Sequence, residues 1–188
     1  SWNVFGGGVL LAGGGRITHS VISANAVEAN NYSYGGGIYS LGGYISHCRL
    51  AGNTTTRNDG GAGIYSASAE TIADNCLIEG NTSATKGGGV YGTAGTFVNC
   101  TIVGNAAQEG GGVYGTSANL KFHNCIIQGN SVSSDPTPGA PEWNGDKPLY
   151  TYSLSPKTLP TADSGNLTAT ATFEAGSSHR LAAGSPGF

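Results

Sequence analysis

NCTIVGN, residues 99–105, decides the fold, because close copies of it recur along the chain. The copies are HSVISAN at 19–25, HCRLAGN at 47–53, NCLIEGN at 75–81 and NCIIQGN at 124–130. Their final asparagines lie 24 to 28 residues apart: Asn25, Asn53, Asn81, Asn105 and Asn130. One reaction needs one constellation of catalytic side chains, so five copies indicate architecture rather than chemistry. A period of about 20–50 residues is typical of solenoids, propellers and repeat arrays.

A second motif recurs in step with the first and decides among these architectures. It reads GGGVL at 6–10, GGGIY at 35–39, GAGIY at 61–65, GGGVY at 87–91 and GGGVY at 110–114. So much glycine argues against helical repeats, and the units are shorter than a propeller blade of about 40 residues. What remains is short strand-like pieces bounded by Gly and Asn, which is the pattern of a parallel β-helix.

The predicted fold class is all-β: a right-handed parallel β-helix, a single solenoid of about six to seven coils with three short strands per coil. Regular coils are expected over residues 1–130. An irregular loop and closing coils of the same domain are expected over 131–188, where most of the prolines lie. Neighbouring coils pair at about 4.8 Å, so like residues form columns along the axis.

Strand alternation predicts which residues of each motif face the interior. In CTIVGN it turns Cys100 and Ile102 to one face, and the Ile102 position is aliphatic in every copy. Four buried free thiols follow, with a disulfide between neighbouring coils as the alternative: Cys48, Cys76, Cys100 and Cys125. The asparagines that end the motifs are expected to form a hydrogen-bonded ladder.

The residue that begins each motif forms a second polar column: His19, His47, Asn75, Asn99 and Asn124. Two adjacent histidines are able to bind a metal, but no third ligand is apparent in the sequence, so a hydrogen-bonded polar column is favoured. We predict neither a metal nor a cofactor.

Composition narrows the range of partners. Charged residues make up 10% of the chain, the net charge is −3, and lysines and arginines are scattered, which argues against nucleic-acid binding. No hydrophobic run approaches the roughly 20 residues of a membrane span, so no direct span is expected.

Over about residues 6–130 the chain resembles bacterial right-handed parallel β-helix repeat proteins of the cell surface. It is similar to the polymorphic outer-membrane proteins, whose GGA(I/L/V) and FxxN tetrapeptides correspond to GGGV and IVGN here. The tail at 165–188 resembles the closing coil of such proteins, with Thr170 and Ala171 in place of their Asp-Pro pair. The resemblance implies an extracellular, secreted or cell-surface location and a non-enzymatic, adhesin-like or structural role.

Two sets of residues are candidates for ligand binding, the first being an outward row of tyrosines: Tyr39, Tyr65, Tyr91 and Tyr114. This row could stack on sugar rings or serve as an aromatic ladder that stabilises the strands. The second set lies in the spacers before each Gly triplet, which we expect to leave the same corner as a fan of loops: Glu28, Arg57, Asp59, Lys86 and Glu109. A glycan or a host or cell-surface protein is the expected partner.

Two other functions stay open. A polysaccharide lyase or glycoside hydrolase needs acidic groups that converge, yet the aspartates occupy different repeat phases: Asp59, Asp74, Asp135, Asp146 and Asp163. The prediction is therefore that the chain is not an enzyme, with a glycan-binding or lyase-type module as the alternative. The first coil has no evident cap, so a fibre-forming subunit that stacks end to end is the other alternative.

Overall fold

Four columns of short parallel strands run along the molecule in the computed structural model, which confirms the predicted all-β parallel β-helix. The structure describes residues 2–29, 31–57, 60–133, 143–144, 148–156, 158–159, 165–175, 180–183 and 185. Within these ranges every regular element is a β-strand. None of the described segments forms a helix with the length and apolar character needed to cross a membrane.

Each sheet takes one strand from each coil. The first sheet contains Val9–Leu11, Ile38–Ser40, Ile64–Ser66, Val90–Gly92, Val113–Gly115 and Trp143–Asn144. The second contains Arg16–Thr18, Gly43–Ser46, Thr71–Asp74, Gly95–Val98, Leu120–His123 and Leu149–Thr151. The third contains Val21–Ser23, Arg49–Ala51, Leu77–Glu79, Thr101–Val103, Ile126–Gln128, Leu154–Ser155 and Leu167–Thr168.

A fourth sheet was not predicted. It contains Ala26–Val27, Thr54–Thr55, Thr82–Ser83, Ala106–Ala107 and Ser131–Val132. A smaller pair, Val4–Phe5 with Ser33–Tyr34, lies outside the four sheets. The prediction of three strands per coil was therefore wrong: in the described residues five coils carry four strands each, and a partial sixth follows. The coil count is slightly below the predicted six to seven.

The interior is a set of aliphatic and aromatic columns in strict register. Ile78 pairs with Leu50 on one side and Ile102 on the other, and Val90 pairs with Ile64 and Val113. All of these side chains are buried. At the last coils the rings of Phe97, Phe122 and Tyr150 stack at centroid distances of 4.9 and 5.1 Å. The repeat thus builds one continuous core along the axis.

Two corners of each coil depend on left-handed backbone. Between the second and third sheets, all five residues of the polar column have φ values from 48° to 53°: His19, His47, Asn75, Asn99 and Asn124. Asn and His are enriched among non-glycine residues in this conformation. Between the third and fourth sheets glycines take the same role in four coils: Gly52, Gly80, Gly104 and Gly129.

The asparagines that follow this second corner form a hydrogen-bonded ladder inside the wall. The Nδ2 of Asn81 donates to Asn105 Oδ1 at 2.9 Å and to the Leu50 carbonyl at 3.0 Å. The backbone N–H of Asn81 donates to the same Oδ1 at 2.9 Å. The pattern repeats in the adjacent coils, so each amide satisfies backbone groups at a turn that water does not reach.

The stretch 149–155 forms two strands in different sheets with a corner at Tyr152. The tail then covers the outer face of the third sheet. The Gln128 amide donates to the Ala171 carbonyl at 3.0 Å and accepts from the Ala171 N–H at 2.7 Å. Phe173 and Leu181 form an antiparallel bridge within this tail.

The four cysteines are free thiols in a single buried column. Each Sγ donates to two main-chain carbonyls; that of Cys100 lies 3.3 Å from the Val98 oxygen and 3.6 Å from the Ala73 oxygen. The neighbouring thiol of Cys100 and burial together raise the pKa of Cys76 above its ordinary value of 9.0. The neighbouring thiol of Cys125 and burial likewise raise the pKa of Cys100.

These thiols are expected to be inert in the folded protein, because the thiolate is the reactive form. An aromatic disulfide reagent such as dithiobis(nitrobenzoate) should modify no cysteine natively and all four in denaturant. A raised folded pKa also means that the unfolded state loses protons first as pH rises, so the free energy of unfolding should fall above about pH 9. Rapid native labelling of Cys76 or Cys100 would contradict the buried column.

Candidate functional site

The tyrosine row lies on the outer face of the first sheet. Tyr39, Tyr65, Tyr91 and Tyr114 pair in register from coil to coil. The rings of Tyr39 and Tyr65 are stacked with centroids 5.1 Å apart, whereas the next two pairs meet edge to face at 4.9 and 5.3 Å. Both arrangements are favourable for aromatic pairs. The row is thus one continuous aromatic contact along four coils.

Two residues that the sequence analysis missed extend this row toward the amino terminus. Phe5 and Tyr34 stack with centroids 5.3 Å apart and rings 3° from parallel. Phe5 also contacts Tyr39, and Tyr34 meets Tyr65 at 4.8 Å. We call the six side chains the aromatic strip: Phe5, Tyr34, Tyr39, Tyr65, Tyr91 and Tyr114. Tyr34 directly precedes the Gly triplet of its coil. This position in the sequence was the available signal that Tyr34 lies beside the tyrosine row.

Burial limits which parts of the strip a ligand is able to reach. Tyr91 is only 8% exposed, although strand alternation turns it away from the core. Tyr39, Tyr65 and Tyr114 are half-buried, and burial raises the pKa of Tyr39. Phe5 is the accessible member, with 43% of its surface exposed. The strip is therefore mainly a packed ladder, with access concentrated at its first coils.

The spacers are not the free loops that we expected, because the first two residues of each one form the fourth sheet. Lys86 and Glu109 come next to each other as a parallel bridge between two coils. The Lys86 Nζ lies 4.9 Å from the ring centroid of Tyr114, a cation–π contact. The fold thus joins three candidates, Lys86, Glu109 and Tyr114, at one end of the strip.

Glu28 and Arg57 meet at the other end. They line a groove of about 370 Å³ together with Trp2, Val4, Ala29 and Thr56. Trp2 is 77% exposed, and Val4 directly precedes Phe5 of the strip. An indole face beside one carboxylate and one guanidinium suits a ligand with an apolar face and polar edges. The remaining spacer candidate, Asp59, lies outside the described residues.

Three acids of the described chain, Asp74, Glu79 and Glu174, have separate local partners. Asp74 accepts hydrogen bonds from the Tyr44 hydroxyl and from Asn75, and Glu79 pairs with Arg49. Glu174 lies 3.5 Å from Arg180 in the tail. Within the described ranges no three His, Cys, Asp or Glu side chains gather into a possible metal centre. Asp135, Asp146 and Asp163 lie outside those ranges.

Comparison with known proteins places the chain by its fold. A family model described as the right handed beta helix region matches residues 2–146. No curated protein and no solved structure matches the chain.

Proposed function

This chain belongs to the right-handed β-helix family, and from that premise we propose that it is a non-enzymatic scaffold of a secreted or bacterial cell-surface protein. Its role is to hold a rigid, adhesin-like surface toward a glycan or a host or cell-surface protein. Family membership alone does not separate this role from catalysis, because one fold carries many functions. The proposal therefore rests on how the side chains are used.

The observation that carries the proposal is the strict register of polar and aromatic columns across five coils. Asparagines, cysteines and tyrosines are used for contacts with the next coil, and the acids Asp74 and Glu79 each have a neighbouring partner. Catalytic acids are instead held together near one reacting atom. Low charge and abundant glycine fit a surface repeat protein of this kind.

The first test is a search for turnover. Incubation of the chain with a panel of acidic and neutral polysaccharides should yield neither new reducing ends nor the ultraviolet absorbance of unsaturated uronates. Parallel binding of the labelled chain to intact cells or extracellular-matrix preparations should be saturable. Release of products from any polysaccharide would overturn the non-enzymatic proposal, and products that vanish on mutation of a single acid would identify the catalytic group.

A second candidate function, glycan binding, is favoured by the groove at Trp2, Glu28 and Arg57 and its continuity with the aromatic strip. Trp2→Ala should lower affinity on a glycan array by roughly five- to a hundredfold, because an aromatic face contributes about 1–3 kcal/mol in stacking on a planar or ring-shaped ligand. Tyr152→Asn is the matched control: Tyr152 is also an exposed aromatic residue, at 74%, and lies on another corner.

The outcome is informative in both directions. If Trp2→Ala loses binding and Tyr152→Asn retains it, the groove is the glycan site. Equal losses in both variants would show that exposed aromatic surface in general, and not this groove, is responsible. Tyr91 is a poor choice for the test, since its 8% exposure makes truncation mainly a packing defect.

A further inference from the structure

His19 and His47 occupy a corner where the backbone does not call for histidine. Their φ values of 48° and 52° match the 52° and 53° of Asn75 and Asn99 in the following coils. Asparagine therefore satisfies the same left-handed turn, as the later coils demonstrate. Both imidazoles are exposed, so packing of the core does not select them either. Their shared chemical property is an imidazole nitrogen lone pair.

The two rings lie directly above one another. Their centroids are 4.8 Å apart and their planes differ by 9°. The Nδ1 of His47 is 2.6 Å from the Ser46 hydroxyl, and if it donates there, Nε2 keeps its lone pair, as in metal-bound histidine. Within the described chain the ring nitrogens of His19 make no hydrogen bond. Two parallel imidazoles thus line one space.

That space is a groove of about 520 Å³ that also contains an oxygen ligand. Asn75, the next member of the polar column, lines the groove with both histidines. Its Nδ2 donates to Asp74 Oδ1 at 2.8 Å, and in the described structure its own Oδ1 has no hydrogen-bond partner. The amide oxygen of Asn75 is therefore an available oxygen donor in the groove that both histidines line.

The charges around the groove suit a cation. Arg49 lines it and repels positive charge, but its guanidinium is paired with the Glu79 carboxylate. Asp74 adds a second carboxylate beside Asn75. Together the side chains of Arg49, Glu79 and Asp74 sum to one negative charge, which favours a cation in the groove.

We propose that His19 and His47 bind a divalent transition-metal ion, with Asn75 and water completing its coordination. Imidazole nitrogen with amide and water oxygen suits zinc, copper or nickel. Two zinc–nitrogen bonds of about 2.0–2.1 Å span at most about 4.2 Å, so the outer edges of the rings tilt toward one another on binding. Both side chains are exposed, and rotation about their own bonds provides this movement. The ion joins the first two coils at their corner.

The test uses zinc alone, titrated calorimetrically into the full chain at neutral pH. One zinc ion per chain is expected, with His19→Asn and His47→Asn each weakening binding by roughly tenfold or more. Asparagine is the residue that later coils hold at this corner, so both variants should keep the fold, as a circular dichroism spectrum will verify. His123→Asn is the control, because that ring contacts Thr151 in the second sheet and lies outside the groove.

A second readout separates a site from adventitious binding. Zinc should raise the melting temperature of the native chain and of His123→Asn, and leave that of His19→Asn unchanged, because an ion that binds only the folded state stabilises it. Wild-type affinity in both corner variants, or no zinc binding at millimolar concentration, would overturn the proposal.

Discussion

Asn105→Ala is expected to lower the free energy of unfolding by about 4 kcal/mol, since a buried polar group left unsatisfied costs about 1–3 kcal/mol. The Asn105 side chain is fully buried. It donates to the Ile78 carbonyl and to Asn130, and it accepts from the backbone N–H and the side chain of Asn81. Alanine supplies none of these bonds. The Asn81 N–H is then left unsatisfied in a site closed to water, and the other lost bonds add about 1 kcal/mol each.

Asn25→Ala is the matched control, because it makes the same substitution at the first member of the ladder. Asn25 is only partly buried, and its side chain donates a single bond, to Asn53 Oδ1 at 2.9 Å. Its backbone N–H still donates to that oxygen in the variant. The expected loss is about 1 kcal/mol, the usual contribution of one hydrogen bond. Equal urea midpoints for the two variants would show that the ladder is not cooperative with the core.

Much of the fold is predictable from the sequence because the stacking of coils repeats the same physical demands. The Ile102 position is aliphatic in every copy and the Asn105 position is always asparagine, so alternation and period suffice to place both. The fourth sheet lacks such a pattern. Its strands, such as Ala26–Val27 and Thr54–Thr55, have two residues, too few to display alternation. Pairing with the coils above and below makes them strands.

The candidate site also has features that the repeat pattern predicts and features that it does not predict. The tyrosine columns follow from alternation, but the burial of Tyr91 and the approach of Phe5 and Tyr34 depend on spacer conformation. The spacers differ in length and share no repeat phase, so side chains that meet through them are invisible to a periodic analysis. The same reason hid the proximity of Trp2, Glu28 and Arg57. The sequence predicts that Asn75 lies in one column with the two histidines. It does not predict that the three residues line a groove.

The middle residue of the triplet is glycine in four copies and Ala62 in the third, and the glycine of the fourth copy makes the second large prediction: Gly88→Ala should destabilise the chain by about 3 kcal/mol, the upper range for overpacking a core. A Cβ built on Gly88 would lie 2.4 Å from the Ala106 oxygen and 2.5 Å from the Gly111 oxygen. Both atoms are backbone, so no side chain is able to rotate away. Gly111 belongs to the next coil, and relief requires that the two coils separate, at the expense of hydrogen bonds such as Gly89 N–H to the Gly111 carbonyl.

Gly80→Ala separates this collision from the general effect of losing a glycine. Gly80 has a φ of 60° and open space around its Cβ direction, so alanine there incurs only the left-handed backbone penalty of about 1–2 kcal/mol. Gly88 does not have a positive φ, so its cost is contact alone. In urea unfolding, the free energy of unfolding of Gly88→Ala should therefore be well below that of Gly80→Ala. The reverse order would mean that corner conformation limits the stability of the solenoid, and that the coils tolerate a wider spacing than their register implies.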